Sequence, residues 1–487
     1  MTNFFKTWHG DGRRREGRVL ETETKPAVLI RNVRVLDVSS GRLSLPSSVL
    51  IEKGIINAVY PEPLPSSAAD VQVKEYSVID GDGRVLMPAL TDFHVHIGFS
   101  NGEPPWASSI FHPADSAREK ESYVYAGVTT VVEGSVSPLP GIFSGRETVS
   151  PNVFRTGRQV TARGGHPHPM INDLLPWPMN GYVGGRLTVQ IEDFSAQEES
   201  VRAILEDPCV HHLKIIYDNA IPTESAKLSP DSLRLAVELA HSYGKPAYVH
   251  VGSVRDAIEA ARAKADVLMH VPFVDKFSEE QVKELFESGV VFVTTSQIWS
   301  WAALGFEKSR QFTRLEQRLM PFRTQEAFTE SWEGVFGRFK SADFTEEYVR
   351  EKVPHFVRNI DANIRLLHQG GVTLVAGTDT GVPGLVPGAS LLYELRHLVS
   401  LGIPAVEVLR SATVTPGKLL SDGGRAFGEV KPGYKAELII VEDDPLKDVR
   451  HLDSVSHIFT QARVFQRLDL QPAPLESRRV SILQKGT

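Results

Sequence analysis

The feature that most constrains the fold is an alternation of short apolar runs and helical patterns that begins at Pro88. The helical segments have recognisable ends: Ser229-Pro230 is an N-cap followed by proline at the first helical position, and Gly244 closes the same segment. The strand-like run 246–250 follows directly, and about eight such runs alternate with helices. The sequence therefore predicts an α/β protein built on a (β/α)8 TIM barrel, in which functional residues lie at the carboxyl ends of the strands.

Short β-like runs before the barrel, and another at 436–441 after it, predict a small β-sandwich domain formed from both termini. About eighty residues separate Val293 from Val372, where one crossover helix would be enough, so the barrel is expected to carry an insertion. Aromatic residues in the insertion, such as Trp299, Trp301 and Phe306, indicate either a lid that accepts an apolar group or an oligomer contact. The predicted organisation is a flexible arm at 1–25, the composite sandwich at 26–87 and 425–487, and the barrel at 88–424 with its insertion at about 296–368.

Composition excludes several classes of protein. The formal net charge is −7, from 53 Lys+Arg and 60 Asp+Glu, so no strong positive charge attracts nucleic acid or an anionic membrane. The single cysteine, Cys209, excludes an intrachain disulfide and a cysteine-based zinc cluster. No apolar run approaches the roughly 20 residues that a membrane span needs, and the N-terminus lacks the apolar core of a signal peptide. We therefore expect a soluble, cytoplasmic protein.

Histidines occur at the ends of several predicted strands. His94 and His96 have the spacing that places two imidazoles on one side of a strand end, where a metal ion could bind both. His250 and His270 end two further strands, and Asp379 ends the last one. Each alone is more typical of a structural histidine or a turn aspartate. Together, four imidazoles and one carboxylate at the same rim form the ligand set that Zn²⁺ and similar metals prefer.

Lys214 ends the fourth predicted strand, at the same rim. A charged amine beside a metal ion is electrostatically unfavourable, whereas carboxylation of the amine by CO₂ would produce a carbamate anion that could bridge two metals. The alternative is a surface lysine whose amine reaches water, and the sequence leaves both open. His166 and His168, in a Gly-rich loop after the third strand, are candidates for substrate contacts and are more typical of loop residues or hydrogen-bond donors behind the site than of metal ligands. Tyr217 is a candidate for a substrate contact, with a buried core position as the favoured alternative. Trp299 is a further candidate, as part of the possible lid.

These motifs together resemble the amidohydrolase superfamily of metal-dependent hydrolases, nearest its imidazolonepropionase-like, prolidase-like and ochratoxinase-like branch. The resemblance extends over most of the chain beyond the arm. Position 437 is a glutamate where the family usually has an aspartate, which is a small departure. The matching motifs are Leu86-Met-Pro88 leading into His94-x-His96, Gly127-Val-Thr-Thr130, Lys214, His250, His270, Gly377-Thr-Asp379, Ser411-Ala-Thr413 with Pro416, and Gly428-x-x-x-Pro432-Gly433 leading into Ala436-Glu-Leu438.

The resemblance implies a centre of two divalent metal ions, zinc being the expected element. It implies that His94, His96 and Asp379 bind the more buried ion, that His250 and His270 bind the second, and that Lys214 bridges them as an N6-carboxylated lysine. A metal-bridged hydroxide would attack the substrate, with Asp379 as the general base and later the proton donor to the leaving group. The resemblance also implies a homo-oligomer.

The predicted function is hydrolysis of a C–N bond in an amide, a dipeptide-like compound, or a carbamate or urea. The first alternative is a mononuclear amidohydrolase that acts on a cyclic amide or as a deaminase. Deaminases of this superfamily typically carry a glutamate three residues after the fifth-strand histidine, where this chain has Ser253, so the sequence disfavours deamination. The second alternative is a non-catalytic barrel scaffold, which is disfavoured because every expected ligand position is filled.

Overall fold

The structure of the chain is a computed structural model, which describes residues 27–65, 76–98, 113–135, 149–175, 177–219, 225–300, 311–320, 346–382, 384–421 and 426–470. The predicted arm at 1–25 and the aromatic residues Trp301 and Phe306 lie outside the described residues.

The strands of the described chain are β1 Ala27–Asp37, β2 Arg42–Glu52, β3 Ile55–Pro61, β4 Ser77–Asp80, β5 Val85–Pro88, β6 Leu90–Val95, β7 Val128–Glu133, β8 Asn152–Phe154, β9 Gln159–Ala162, β10 Thr188–Ile191, β11 Leu213–Ile216, β12 Ala247–His250, β13 Val267–Met269, β14 Val291–Val293, β15 Leu374–Val375, β16 Leu438–Val441, β17 His457–Thr460 and β18 Arg463–Gln466. Its α-helices are α1 Pro113–Tyr125, α2 His168–Leu174, α3 Met179–Leu187, α4 Phe194–Leu205, α5 Pro230–Ser242, α6 Val254–Arg262, α7 Glu279–Ser288, α8 Arg314–Leu319, α9 Glu346–Gln369, α10 Ala389–Ser400, α11 Ala405–Ser411 and α12 Val414–Leu419. Val449–Ser454 and Arg467–Asp469 form 3₁₀ turns.

Strands from both ends of the chain form one mixed sheet, in the order β18-β17-β16-β5-β1-β2-β3, with β4 paired to β1. The two ends meet where β16 runs antiparallel to β5, with Leu438 opposite Pro88 and Val441 opposite Val85. Alternating residues of these strands, among them Ile30, Leu438 and Ile440, pack into a separate apolar cluster. The sheet therefore anchors the chain immediately before β6, the strand that carries His94.

The central part of the chain forms two parallel sheets, with strand orders β6-β7-β8 and β10-β9-β11-β12-β13-β14-β15. Isolated parallel bridges connect them, from Val95 to Thr380 and from Thr156 to His212. One side of these strands packs against the helices, because alternate residues such as Leu213 and Ile215 belong to the large core cluster. The other side forms its own cluster, which includes Tyr248. The result is an α/β protein with parallel sheets and a mixed sheet.

The helix signals in the sequence are confirmed where they are strongest. Helix α5 begins with Pro230 after Ser229, whose side chain accepts a hydrogen bond from the backbone of Ser232. Its buried face includes Leu233 and Val237, whereas the apolar side chain of Leu235 is 37% exposed. The reason is helical geometry, since residue 235 is two positions and about 200° away from residue 233, on the opposite side of the helix.

Two features of the parallel region differ from the sequence pattern. The predicted third strand, from Val153 to about Thr161, is divided into β8 and β9, and β9 pairs with β10, a strand that the sequence did not predict. The described parts of the predicted insertion include α8 and most of α9. Within the described ranges, no helix has both the length and the apolar character of a membrane span.

Candidate metal centre and active site

Three predicted ligands meet at the carboxyl end of β6. Asp379 Oδ1 lies 3.1 Å from His94 Nε2 and 3.0 Å from His96 Nε2. The ligand atoms of the three residues all lie within 4.8 Å of one another, and this is the one such group in the described part of the chain. His94 and Asp379 are buried, while His96 is partly exposed. The group is thus a pre-formed set of two imidazoles and one carboxylate that is accessible from one side.

Backbone pairing brings these residues together although they are far apart in sequence. The backbone N–H of Asp379 donates to His94 O at 2.8 Å, and that of His96 donates to Thr380 O at 2.6 Å. The carboxylate of Asp92 adds a second link, because it accepts hydrogen bonds from the backbone and the hydroxyl of Thr378 at 3.0 and 2.7 Å. Complete burial raises the pKa of Asp92 to about 7, although the hydrogen bonds from Thr378 oppose the shift. The loop that carries Asp379 is therefore joined to β6 at several points.

His270, His250 and Lys214 extend the cluster over the neighbouring strands. Lys214 does not end its strand as predicted, because it is the second residue of β11. The ring centroids of His94 and His270 are 5.1 Å apart, and those of His270 and His250 are 4.5 Å apart. Lys214 is 1% exposed, and its Nζ has no hydrogen-bond partner among the described residues. Burial lowers the pKa of Lys214 to about 7, and the nearby Asp379 only partly offsets this effect. The structure therefore brings all six predicted ligands into one neighbourhood.

The electrostatics of the cluster favour neutral imidazoles around a charged carboxylate. Burial lowers the pKa of His94 to about 3 and places that of His270 well below its ordinary value. Burial alone would raise the pKa of Asp379, yet the facing histidines, chiefly His94, hold it well below its ordinary value. Neutral imidazole and ionised carboxylate are the protonation states in which these side chains bind metal ions.

The backbone is strained at two of the six residues. His270 has a φ of 78° and Asp379 a φ of 63°, in the left-handed region that non-glycine residues rarely occupy. Thr295, whose hydroxyl contacts His270, has a φ of 38°. Strain of this kind costs about 1–3 kcal/mol per residue and is concentrated at functional sites. The unusual conformations aim both side chains at the cluster.

The residues present fit a metal ion. His94 Nδ1 and Lys214 Nζ are buried polar atoms without a hydrogen-bond partner in the described chain, which is costly unless another group compensates. Gly134 keeps space open beside the rings, since a Cβ there would lie 2.4 Å from His94 Cε1 and 2.9 Å from His96 Cε1. Nitrogen and oxygen ligands of this type suit Zn²⁺ and related divalent ions.

Comparison with known proteins supports the same conclusion. The model of the amidohydrolase family matches residues 85–466, which is most of the chain. The chain belongs to the amidohydrolase family. The prediction of an amidohydrolase enzyme is thereby confirmed, and families of this kind typically depend on metal ions.

Two curated relatives and one solved structure show which proteins this amidohydrolase resembles. It is 23% identical to ochratoxinase of Aspergillus niger over 443 residues, which cover 83% of this chain and 81% of the relative. It is 20% identical to an imidazolonepropionase of Geobacillus sp. (strain WCH70), with 81% of this chain and 83% of the relative covered. A prolidase crystallised with N-methylphosphonate-L-proline superposes with a TM-score of 0.68 at 19% identity, over 91% of this chain and all of that chain (100%).

The predicted substrate residues of this amidohydrolase occupy different environments. His166 stacks on His250, with ring centroids 5.3 Å apart, and so lies beside the cluster. His168 Nε2 lies 2.6 Å from the hydroxyl of Thr188, in a buried contact between the start of α2 and the start of β10.

Tyr217 and Trp299 are both largely enclosed. The hydroxyl of Tyr217 donates to Glu259 at 2.6 Å. Trp299 is 7% exposed and packs between Phe273 and Phe356, with ring centroids 5.3 and 5.0 Å away. These contacts give Trp299 a place in an aromatic cluster that joins the start of the predicted insertion to α9.

Four residues that the sequence reasoning did not select contact the predicted ligands. Asp92 holds the loop of Asp379, and Asp218, Ser135 and Thr295 contact ring nitrogens. Asp92 had a usable signal, because it precedes His94 by two residues in the same strand. The other three follow strand ends, where polar residues are common, so their contacts could be recognised only in three dimensions.

Proposed function

We propose that this amidohydrolase is a metal-dependent hydrolase that cleaves a C–N bond in an amide, a dipeptide-like compound, or a carbamate or urea. The observation that carries the proposal is the meeting of His94, His96 and Asp379, whose ligand atoms lie within 4.8 Å of one another. Similarity to an ochratoxinase and an imidazolonepropionase supports hydrolysis as the reaction class. Small molecules are the proposed substrates.

For the fold, we infer a closed (β/α)8 barrel with an accessory β-sandwich formed from both termini. The bridges Val95–Thr380 and Thr156–His212 support closure, because they connect β6 to the segment after β15 and the segment after β8 to the start of β11. In a barrel of this type the carboxyl ends of all strands share one face. The proposed boundaries stay as the sequence predicts them, with the barrel at 88–424 and an insertion at about 296–368.

Six residues are proposed to hold two metal ions. His94, His96 and Asp379 would hold one ion, His250 and His270 the other, and Lys214 would bridge them after carboxylation. Support for the carbamate comes from burial, since an amine that is 1% exposed and lacks a hydrogen-bond partner gains anionic oxygen atoms on reaction with CO₂. When bound, divalent metal ions polarise a carbonyl group and lower the pKa of water to near neutrality.

Asp379 is proposed as the group that moves the proton. Its carboxylate faces the two histidines and is 8% exposed, so it combines burial with an opening to the site. The histidines keep Asp379 ionised, which allows it to accept a proton from the attacking water and then to deliver that proton to the leaving nitrogen. The left-handed backbone at Asp379 fixes the direction of this carboxylate.

A mononuclear enzyme that acts on a cyclic amide is the second candidate. The observation in its favour is that only His94, His96 and Asp379 converge within 4.8 Å in the described chain. Similarity to an imidazolonepropionase is also consistent with this candidate.

The metal content of purified protein distinguishes the two candidates. About two ions per chain would support the binuclear centre, about one would support the mononuclear enzyme, and none would contradict both.

Lys214→Ala should lower the metal content and abolish activity. The control is Lys245→Ala, which should change neither. Lys245 precedes β12, at the end opposite His250, and its Nζ donates to Asp207 O. After ¹³C-bicarbonate labelling, a carbamate signal should be absent from Lys214→Ala. A panel of N-acyl amino acids, dipeptides, aryl carbamates and ureas then defines the substrate.

We also propose a homo-oligomer in the cytoplasm. Exposed aromatic residues on the α2–α3 segment support an interface, since Trp177 is 85% exposed and Tyr182 is 59% exposed. Light scattering coupled to size-exclusion chromatography tests the oligomer, and a monomer at micromolar concentration would contradict it.

A further inference from the structure

Three of the candidate ligand histidines have one ring nitrogen in contact with a neighbouring polar side chain. His96 Nδ1 lies 2.9 Å from Ser135 Oγ, and His270 Nδ1 lies 2.8 Å from Thr295 Oγ1. His250 differs, because its contact is made by Nε2, which lies 3.1 Å from Asp218 Oδ2. The ring nitrogen that does not take part in this contact is therefore Nε2 in His96 and His270 and Nδ1 in His250.

Asp218 also differs chemically from the other two partners. A hydroxyl group can donate or accept, so the contacts of Ser135 and Thr295 do not determine which nitrogen carries hydrogen. An ionised carboxylate can only accept, so with Asp218 ionised the 3.1 Å contact places a hydrogen on His250 Nε2 and leaves the Nδ1 lone pair for a ligand.

The fold buries Asp218 beside the end of β12. Its side chain is 1% exposed, and it lies two residues beyond the end of β11. At that point β11 is still paired to β12, since Ile216 is opposite His250 and the backbone N–H of Tyr217 donates to His250 O at 3.0 Å. The ring of His166 stacks on one face of the His250 ring, with an angle of 18° between the two ring planes. The imidazole is therefore held by a carboxylate at one edge and by a second ring against one face.

We propose that Asp218 is the positioning residue for His250: it selects the tautomer with hydrogen on Nε2 and directs Nδ1 toward the metal centre. The inference rests on the proposed metal centre and extends it by one residue. A carboxylate partner also makes the imidazole a stronger ligand than a hydroxyl partner does. Loss of such a partner typically costs about 10- to 100-fold in metal affinity.

The test uses Asp218→Ala and Asp218→Asn, with Asp361→Asn as the matched control. Asp361 Oδ1 lies 2.7 Å from His397 Nε2, so the control removes the charge from the same kind of carboxylate–histidine contact outside the site. The first measurement is the Zn²⁺ dissociation constant, obtained by competition with a chelator. The second is the tautomer of the histidines in metal-free protein, read from ¹⁵N chemical shifts and assigned with His250→Gln.

Asp218→Ala should weaken Zn²⁺ binding about 10- to 100-fold and should populate the other tautomer of His250. Asp218→Asn should lose less zinc affinity than Asp218→Ala, because its amide oxygen can still accept a hydrogen bond from His250 Nε2 although the negative charge is gone. Asp361→Asn should leave both measurements unchanged. An Asp218→Ala protein with unaltered zinc affinity and an unaltered His250 tautomer would overturn the proposal, and if that variant does not fold, unaltered values in Asp218→Asn would do so.

The measurements separate this inference from the proposed reaction. If Asp218→Ala weakens zinc binding while no amide, carbamate or urea is hydrolysed by the wild type, Asp218 keeps its role and the reaction is wrong. If the wild type binds no zinc, the metal centre is wrong, and the tautomer of His250 in the metal-free protein still decides whether Asp218 fixes the ring.

Discussion

Replacing Gly134 by alanine should distinguish effects on the candidate metal centre from effects on the stability of the fold. The added Cβ would lie 2.4 Å from His94 Cε1, 2.9 Å from His94 Nδ1 and 2.9 Å from His96 Cε1. Ordinary carbon–carbon contacts are about 3.5–4.0 Å, so the rings or the backbone must move by about 1 Å. His94 is 1% exposed and has little room to move, so the displacement should change the geometry of both imidazoles.

A displacement of about 1 Å at a reacting centre can cost about 10²-fold in rate. We therefore expect kcat/KM of Gly134→Ala to fall about 100-fold and its Zn²⁺ affinity to fall at least about 10-fold. Overpacking should also lower the free energy of unfolding by about 1–3 kcal/mol. The assays are steady-state hydrolysis of a substrate identified from the panel, chelator competition for Zn²⁺, and denaturant unfolding.

Two other glycines provide matched controls. In Gly157→Ala the new Cβ would lie 2.5 Å from Ile204 Cγ2, an equally severe overlap in the apolar core. In Gly185→Ala no atom lies within 4 Å of the new Cβ. Gly157→Ala should lose stability but keep its zinc affinity, and Gly185→Ala should keep both. Equal losses of zinc affinity in Gly134→Ala and Gly157→Ala would refute the reasoning, because the effect would then reflect stability alone.

Three further predictions concern Lys214, Tyr217 and Glu259. In metal-free protein, Lys214→Met should raise the free energy of unfolding by about 1–3 kcal/mol, because it removes a buried amine that has no hydrogen-bond partner among the described residues. Urea unfolding measures this free energy, and a lower value than in the wild type would contradict the prediction. Tyr217→Phe should lower the free energy of unfolding by about 1.5–3 kcal/mol, because the hydroxyl that it removes donates to Glu259. The kcat/KM of this variant should stay within about twofold of the wild type. A large loss of kcat/KM would instead support a role of Tyr217 in substrate binding. Partial burial would raise the pKa of Glu259, but hydrogen bonds from Tyr217 and Arg255 and the charge of Lys227 lower it from 4.5 to about 2. The unfolded state therefore binds more protons between these values, and the stabilisation present above pH 4.5 should be lost as the pH falls toward 2. Unfolding measured from pH 5 to 2.5 should show a steeper loss in the wild type than in Glu259→Gln, and parallel curves would contradict the prediction.

Local signals in the sequence determined the helices and the principal candidate ligands. The start of α5 depends on Ser229 and Pro230, which act within one turn, so the sequence alone predicts it. The pair His94 and His96 could be recognised because i and i+2 share one side of a strand, and Asp379 because polar residues at strand ends face the same rim. Each of these inferences requires only spacing along the chain.

Tertiary structure decided which polar groups meet. Asp218 is 32 residues from His250 in sequence, and their contact exists only because β11 and β12 pair in one register. The hydroxyl of Tyr217 is directed to Glu259 on α6, which no local pattern reveals. The space beside His94 depends on the close approach of Gly134, at the end of another strand. Local rules act over a few residues, whereas these contacts depend on how separate strands and helices are brought together, so the sequence predicts the ligands and the fold decides their partners.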